Sequence, residues 1–324
     1  MAGKLSIVFL LAFGLTALGC PLLIKKLRSL RFGQQIREDG PASHGAKSGT
    51  PTMGGAVFIP AAILALLVTA KAAAFLLGAI LVTAGCSLIG FIDDYSKLAL
   101  RQSLGLRARS KLLGQVLITL LLIFILVNSG LYSTAVMIPI FGVTLDLGPL
   151  YPVLLFLLIL GFSNSVNLTD GIDGLAAGAA SIAFIPFVVI ALRSGSPEAA
   201  LFSAALIGAC LGFLLYNRHP ARLFMGDTGS LGLGGALAAT AVFLKAELFL
   251  VIIGGLFFIE ALSVMGQVAS FKLTGRRILL MSPLHHHFEL KGWSEWKVVL
   301  VFWAAAAILA LVGLLDYLRL GPAG

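Results

Sequence analysis

The chain has 324 residues, of which 59% are hydrophobic and 11% are charged, and its formal net charge is +9. Soluble domains carry about 25% charged residues, so this composition excludes a water-soluble globular protein and predicts that lipid surrounds most of the chain. The excess of Lys and Arg is typical of the loops that orient membrane proteins. Because the sequence contains no nucleic-acid-binding motif, we expect no nucleic-acid partner.

Apolar runs follow one another from the N-terminus, and a helix that spans a bilayer requires about 20 mostly apolar residues. Ten spans are predicted, at Leu5–Ile24, Met53–Ala70, Ala73–Ile92, Leu112–Gly130, Tyr151–Val166, Leu175–Leu192, Ala199–Tyr216, Leu231–Leu244, Leu248–Ala269 and Val298–Leu318. Helices are expected because lipid cannot hydrogen-bond an open sheet edge. We therefore predict an all-α integral membrane protein, a bundle of about ten transmembrane helices that forms a single polytopic domain over residues 1–324.

The positive charges of the connecting loops are unevenly divided between the two sides of this bundle. Of the 23 Lys and Arg residues, 18 fall on one side, and the other side has only Lys4, Lys71, Arg193, Lys245 and Arg319. The positive-inside rule places the first side in the cytoplasm, so that ten spans leave both termini outside. The long loops after the first, third, seventh and ninth spans are also on this side, where we expect the active-site loops.

Two adjacent acids, Asp93 and Asp94, follow the third span directly. A carboxylate at the C-terminal end of a helix meets the negative end of the helix dipole, so ending the helix is a poor explanation for two of them. The alternatives are a plain acid pair at the membrane boundary or a role with a metal, a base or a phosphate. The pattern favours the second.

A polar segment that includes Asn167, Asp170 and Asp173 separates the fifth and sixth spans. The spacing of the two acids predicts that they lie on one side of a helical turn. Either acid could instead cap the following helix, but capping explains only one of them. We therefore expect this segment to contact a substrate.

The glycine-rich segment between the seventh and eighth spans contains Asn217, Phe224 and Asp227. Glycines let a backbone approach a ligand closely, and amides before a helix attract phosphate. Asp227 could reach a metal and Phe224 could stack on a base. A simple glycine-rich turn is the alternative.

Three consecutive histidines, His285, His286 and His287, lie in the loop after the ninth span. Neighbouring histidines do not project in one direction, and zinc-ligand spacing is absent, so phosphate contact or proton transfer suits them better. Lys47 precedes another glycine-containing segment, where it could act as a point charge on phosphate. Glu260 stands alone inside the ninth span, and we expect it to bond a neighbouring helix or to influence a bend near Gly266 rather than to be catalytic.

Carboxylates, lysines and histidines thus share one predicted face. Mg²⁺ prefers oxygen ligands and often shares them with substrate phosphates, and phosphoryl transfer requires charge neutralisation and positioning. The sequence therefore predicts a Mg²⁺-dependent phosphotransferase.

Five sequence blocks resemble those of the polyprenyl-phosphate N-acetylhexosamine-1-phosphate transferases, in the order of that family and over nearly the whole chain. They are SGTPTMGG at Ser48–Gly55, FIDDYSK at Phe91–Lys97, NLTDGIDGLA at Asn167–Ala176, FMGDTGSLGLGG at Phe224–Gly235 and SPLHHHFE at Ser282–Glu289. The last block is similar to the branch of the family that uses UDP-MurNAc-pentapeptide. The resemblance implies a multi-pass enzyme of the bacterial cytoplasmic membrane that transfers phospho-MurNAc-pentapeptide to undecaprenyl phosphate in peptidoglycan synthesis. Lipid I and UMP would be the products.

The resemblance also implies roles for individual residues and a homodimer. Asp227 would hold Mg²⁺, with Asp93 as a base for the lipid phosphate and Asp94 beside it. Asn217 and Phe224 would hold uracil. Other substrate contacts would be Lys47, Lys97, Lys111, Asn167, Asp170, Asp173, His285, His286 and His287, of which His285 is also a catalytic candidate. Arg109 could take the place of Lys111, and both direct attack and a covalent aspartyl intermediate stay open.

Three other functions stay open at this point. The nearest is transfer of a GlcNAc-1-phosphate-type group to the same lipid. A membrane prenyltransferase also uses Mg²⁺ and acidic loops, but it arranges its acids in paired helical repeats. A transporter would place charges at mid-membrane, where only Glu260 fits.

Overall fold

The structure is a computed structural model, and it describes residues 1–29, 49–100 and 105–320. Lys47 lies outside these residues. The described residues form twelve α-helices and one two-stranded antiparallel sheet. The helices are α1 (Ala2–Ser29), α2 (Gly55–Thr69), α3 (Ala74–Ala99), α4 (Ala108–Asn128), α5 (Tyr151–Thr169), α6 (Leu175–Arg193), α7 (Pro197–Asn217), α8 (Gly226–Phe243), α9 (Phe249–Ile253), α10 (Gly255–Thr274), α11 (Leu284–Leu290) and α12 (Glu295–Leu320), and the strands are β1 (Ala135–Ile138) and β2 (Val143–Asp146).

Among the described residues, eight helices are long and apolar enough to cross a membrane, namely α1, α3, α4, α5, α6, α7, α10 and α12. This confirms the predicted all-α multi-pass membrane fold. Helices α2 and α8 coincide with two further predicted spans, but α2 has only 15 residues and α8 is rich in glycine. The count of ten spans therefore stays a prediction.

Helix α8 lies at the centre of the bundle, and every residue from Thr228 to Val242 is buried. It packs against α2, α3 and α5. Small residues allow this close approach, as they do at other helix interfaces in membranes. A Cβ atom at Gly234 would clash with the backbone of Phe162, and one at Gly235 would press on Cys86. The first turn of α8 therefore lies close to both α3 and α5.

The predicted ninth span is broken in the structure. Gly254 lies outside helical geometry, with φ −92° and ψ 21°, and it separates α9 from α10. Helix α10 then continues without interruption through Gly266, and the bend expected there stays a prediction. Beyond Phe257, the residues of α10 are exposed or half-buried, except for the buried Glu260.

The connection between α4 and α5 contains the β-hairpin, where the sequence predicted only a loop. Its strands pair in the register Ala135 with Asp146. The hairpin is tied to α12, because Arg319 donates to the carbonyl of Ile140 at 2.8 Å. Lys245 donates to the carbonyl of Ser133 at 3.0 Å, just before the hairpin. Lys245 and Arg319, which the charge pattern placed on the same side, therefore both contact the connection between α4 and α5.

Candidate active site

The adjacent acids Asp93 and Asp94 lie inside α3 rather than at its end. The helix continues to Ala99, beyond the predicted end of the third span at Ile92, so the predicted position of the two acids at the end of the helix is wrong. Continuing the helix places Lys97 one turn after Asp93, and the Lys97 ammonium lies 2.5 Å from Oδ2 of Asp93. Asp93 is almost fully buried, and its Oδ1 accepts a hydrogen bond from the amide of Leu106 at 2.6 Å.

Asp227 lies in the first turn of α8, which begins five residues before the predicted span. The amino end of a helix favours a negative charge. Lys111 of α4 bridges this carboxylate to α3, since its ammonium is 2.7 Å from Oδ2 of Asp227 and 3.0 Å from Oδ1 of Asp93. Lys97 lies 3.4 Å from the same Asp227 oxygen. Burial acts to raise the pKa of Asp227, but the charges of Lys97 and Lys111 outweigh it, so that the pKa lies below its ordinary value.

Asp94 holds the beginning of α8 in place. Its carboxylate accepts hydrogen bonds from the amides of Asp227 at 3.1 Å and Thr228 at 2.9 Å, and from the Thr228 hydroxyl at 2.6 Å. Gly226 has φ +72°, and a Cβ atom there would press against Asp94. A Cβ atom at Gly90 would clash with the backbone carbonyl of Asp227. Two glycines thus let α3 and α8 approach closely enough for these bonds.

The three acids form a group that fits a divalent cation. Asp93, Asp94 and Asp227 each offer a carboxylate oxygen, and these oxygens lie within 4.8 Å of one another. Three carboxylates exceed the two positive charges of Lys97 and Lys111, so the cluster keeps an excess of negative charge. Carboxylate oxygens are the ligands that Mg²⁺ prefers. We call these five residues the acidic cluster.

Asn167 and Asp170 lie beside this cluster, near the end of α5. Asn167 donates to the hydroxyl of Ser230 on α8 at 3.1 Å. Desolvation, together with the negative charges of Asp227, Asp94 and Asp173, raises the pKa of Asp170 well above its ordinary value. Asp170 is therefore electrostatically part of the same negative region.

Asp173 faces a different set of partners. Its Oδ2 lies 3.0 Å from Nδ1 of His219 and accepts from the amide of Ala221 at 2.9 Å, and its own amide donates to Glu295 at 2.7 Å. The chain between α5 and α6 is a turn rather than a helix, so the prediction of two acids on one side of a helical turn is wrong. Asp173 does not cap α6 either, because the N-cap residue of α6 is Gly174.

Asn217 and Phe224 lie at the two ends of the segment that leads into α8. The Asn217 side chain is buried, accepts from the amide of Gly174 at 3.1 Å and donates to the carbonyl of Leu223 at 3.0 Å. Phe224 is half-buried, and its backbone pairs with Pro51 and Gly54, each at 2.8 Å. The residues before α2 therefore pack directly on the segment that carries Phe224.

The three histidines lie in α11, and the rings of His285 and His286 lie together near Gly171, with their centroids 4.1 Å apart. The expectation that neighbouring histidines project in different directions is therefore wrong for this pair. Nδ1 of His286 is 2.7 Å from Glu289, and Nδ1 of His287 accepts from the amide of Leu280 at 3.1 Å. His285 is fully buried. A Cβ atom at Gly171 would clash with Nε2 of His285, so this ring faces the turn that carries Asp170.

Glu260 contacts α11, which carries the three histidines, and this confirms the expectation that it bonds a neighbouring helix. It is fully buried and accepts from the amide of Leu284 at 2.7 Å, and its Oε1 lies 3.2 Å from Nδ1 of His285. The sequence feature that indicated a role for Glu260 was the presence of an acid within an apolar helix. Its partner could not be predicted, because it lies 25 residues further along the chain. His219 and Glu295, the partners of Asp173, were also missed because each stands alone in sequence.

Two family models match the chain. The model described as glycosyl transferase family 4 matches residues 76–245, which include every member of the acidic cluster. The model described as phospho-N-acetylmuramoyl-pentapeptide-transferase signature 1 matches residues 47–59, the block that packs on Phe224.

Curated relatives match the chain over almost its full length. A phospho-N-acetylmuramoyl-pentapeptide-transferase of Geobacillus thermodenitrificans is 51% identical over 95% of this chain and 96% of its own. Proteins of the same name from Shouchella clausii and Bacillus velezensis are 51% and 50% identical, each over 94% of this chain and 95% of their own.

Proposed function

The chain belongs to the phospho-N-acetylmuramoyl-pentapeptide-transferases of glycosyl transferase family 4, and we propose that it transfers phospho-MurNAc-pentapeptide from UDP-MurNAc-pentapeptide to undecaprenyl phosphate. In this reaction an oxygen of the lipid phosphate bonds to the β-phosphorus, the bond between that phosphorus and the bridging oxygen breaks, and UMP leaves. Lipid I is the other product. The observation that carries the proposal is the acidic cluster, which gathers three carboxylates and two lysines from α3, α4 and α8.

The chemistry depends on bringing two anionic phosphates together. Lys97 and Lys111 supply positive charge, and their contacts with Asp93 and Asp227 fix where that charge lies. Asp227, with Asp93 and Asp94, would hold Mg²⁺, which would neutralise phosphate charge when bound. Charge neutralisation and positioning are the main contributions that an enzyme makes to phosphoryl transfer.

The carboxylates of α3 take different roles in this proposal. Asp93 is the base that accepts any proton from the lipid phosphate. Asp94 has hydrogen bonds from Asp227 and Thr228, which support a positioning role in which it fixes the first turn of α8 and, through it, Asp227. Asp94 thus has two proposed roles, to supply an oxygen to Mg²⁺ and to hold Asp227 in place.

The remaining predicted contacts belong to the nucleotide-sugar side. Asp170 and His285 adjoin one another across Gly171, which supports a shared place near the donor phosphates. Asn217 shapes the segment before Phe224, the proposed stacking partner of uracil. The other proposed substrate contacts are Lys47, Asn167, Asp173, His286 and His287.

The uneven distribution of Lys and Arg supports an orientation in which the acidic cluster faces the cytoplasm and both termini lie outside. A cytoplasmic site suits a nucleotide-linked donor. The homodimer that the resemblance implies stays a prediction.

The direct test is UMP release by the purified full-length protein with Mg²⁺, undecaprenyl phosphate and either UDP-MurNAc-pentapeptide or UDP-GlcNAc. We expect release with the first donor only, and exclusive use of UDP-GlcNAc would contradict the proposal. Omitting the lipid separates the two mechanisms, because a stoichiometric burst of UMP without acceptor requires a covalent intermediate. Lipid I formation also separates a transferase from a prenyltransferase or a transporter.

A further inference from the structure

Among the residues that the structure describes, two glutamates are fully buried, and one of them is placed to act on the proposed reaction. Glu260 lies on α10, in a part of that helix that otherwise has mostly exposed residues. A buried carboxylate is unfavourable unless it is paired or hydrogen-bonded. Its partners are therefore the best guide to what it does.

Within the described part of the chain, the Glu260 carboxylate bonds only to Leu284 and His285 of α11. Oε2 accepts from the amide of Leu284 at 2.7 Å. Oε1 lies 3.3 Å from the amide nitrogen and 3.2 Å from Nδ1 of His285. We assign the proton of the His285 ring to Nδ1, because an ionised carboxylate of Glu260 can only accept hydrogen bonds. Glu260 thereby fixes both the ring orientation and its tautomer.

The other ring nitrogen is left without a partner. Nε2 of His285 is buried and has no hydrogen-bond partner in the part of the chain that the structure describes. Buried polar atoms without a partner are rare, and each one requires an explanation. Gly171 leaves space for a group to reach this atom, because any larger residue there would clash with it. The neighbouring residue is Asp170, whose charge environment includes Asp94 and Asp227.

We propose that Glu260 is a positioning residue that holds His285 with Nε2 directed at a polar group of the nucleotide-sugar donor, beside Gly171. This rests on the proposed function, since it assigns a role within that reaction. The arrangement is the one in which a carboxylate orients an imidazole through Nδ1 so that Nε2 is available for chemistry. Glu260 itself does not touch the substrate.

The test is a double-mutant cycle on the full-length enzyme with Glu260→Gln, His285→Gln and the double variant. The measurement is UMP release against UDP-MurNAc-pentapeptide at saturating undecaprenyl phosphate. We expect Glu260→Gln to lower kcat/KM for the donor by about 10- to 100-fold, the usual range for a residue that orients another. A second titration varies undecaprenyl phosphate at saturating donor. It should give an apparent KM for the lipid within about 2-fold of wild type, because Nε2 faces the donor. The double variant should be no worse than His285→Gln by more than about 2-fold, since residues that act as a unit are not additive.

The second buried glutamate provides the matched control. Glu247 bonds Tyr151 and Lys245 and lies beyond the far end of α8. Glu247→Gln should retain wild-type kcat/KM in its folded fraction, measured below its thermal midpoint. Two results would overturn the proposal. One is a fold-loss of kcat/KM in the double variant that equals the product of the two single-variant losses, and the other is a Glu260→Gln enzyme with wild-type kcat/KM. A wild-type enzyme that releases no UMP would instead overturn the proposed function.

Discussion

The two ends of α8 both carry buried carboxylates paired with lysine, but their charge balance differs. Beyond the C-terminal end, Glu247 accepts from Tyr151 and Lys245, both at 2.7 Å, so that one acid meets one base. At the first turn, three carboxylates share two lysines. The first arrangement is neutral and links the chain after α8 to α5. The second keeps excess negative charge, which a divalent cation can compensate.

The difference in charge balance distinguishes a structural ion pair, at Glu247, from a candidate catalytic site, at the first turn of α8. A buried ion pair contributes little net stability by itself, because desolvation opposes the attraction. An excess of like charge is actively unfavourable in the free protein. It is therefore expected where a ligand supplies the balancing charge.

The largest expected effect is at Asp227. Asp227→Asn removes the negative charge that both lysines contact, and we expect UMP release to fall by about 10³-fold or more, on the order of 4 kcal/mol of transition-state stabilisation. Asp316→Asn is the matched control, because that carboxylate accepts from the amide of Ile140 on the hairpin face. The control should retain wild-type activity. An Asp227→Asn enzyme with more than about a tenth of wild-type activity would show that the charge excess is not needed.

A smaller effect is expected at Asp94, which acts through α8. Asp94→Asn loses the charge that holds two amides and a hydroxyl, so we expect about a 100-fold loss of kcat and about 2 kcal/mol of stability. Thr228→Val removes only the hydroxyl bond and should cost about 1 kcal/mol. Activity and thermal unfolding in detergent measure the two effects. Full activity in Asp94→Asn would remove Asp94 from the proposed mechanism.

Lys111 and its neighbour Arg109 can be told apart by substitution. Lys111 contacts Asp93 and Asp227, whereas Arg109 is exposed. Lys111→Ala should reduce kcat/KM by about 10- to 100-fold, because it removes charge from the acidic cluster. Arg109→Ala should stay within about 2-fold of wild type, as exposed charges contribute little. The reverse order of effects would assign the phosphate contact to Arg109.

The smallest effect on activity is expected at the neutral end of α8. Glu247→Gln leaves Lys245 without its carboxylate, and we expect a loss of about 1–3 kcal/mol of stability. The measurement is the thermal midpoint in detergent, together with UMP release at a temperature where the variant is folded. A loss of turnover in the folded variant would mean that the two ends of α8 are coupled.

Much of the fold could be predicted from the sequence because each spanning helix requires about 20 consecutive, mostly apolar residues. The break at Gly254 could not, since glycine is common within membrane helices and the apolar run continues across it. The hairpin after α4 was missed because its two four-residue strands are short and lack a clear apolar alternation.

The members of the acidic cluster could be predicted individually, since each acid or lysine adjoins an apolar span. Their partners could not. The role of Asp94 depends on α8 beginning at Gly226, and the role of Glu260 depends on α11 folding back onto α10. Both are tertiary contacts between distant parts of the chain, so no local sequence pattern predicts them.

The convergence of Asp93, Asp94 and Asp227 on one divalent cation is tested most directly by titrating the full-length protein with Mn²⁺, followed by electron paramagnetic resonance. Wild-type protein and the Asp316→Asn control should bind one equivalent of Mn²⁺ that Mg²⁺ displaces, and Asp227→Asn should bind it at least about 10-fold more weakly. Equal Mn²⁺ affinity in Asp227→Asn and wild type would contradict the assignment of these carboxylates as the cation site.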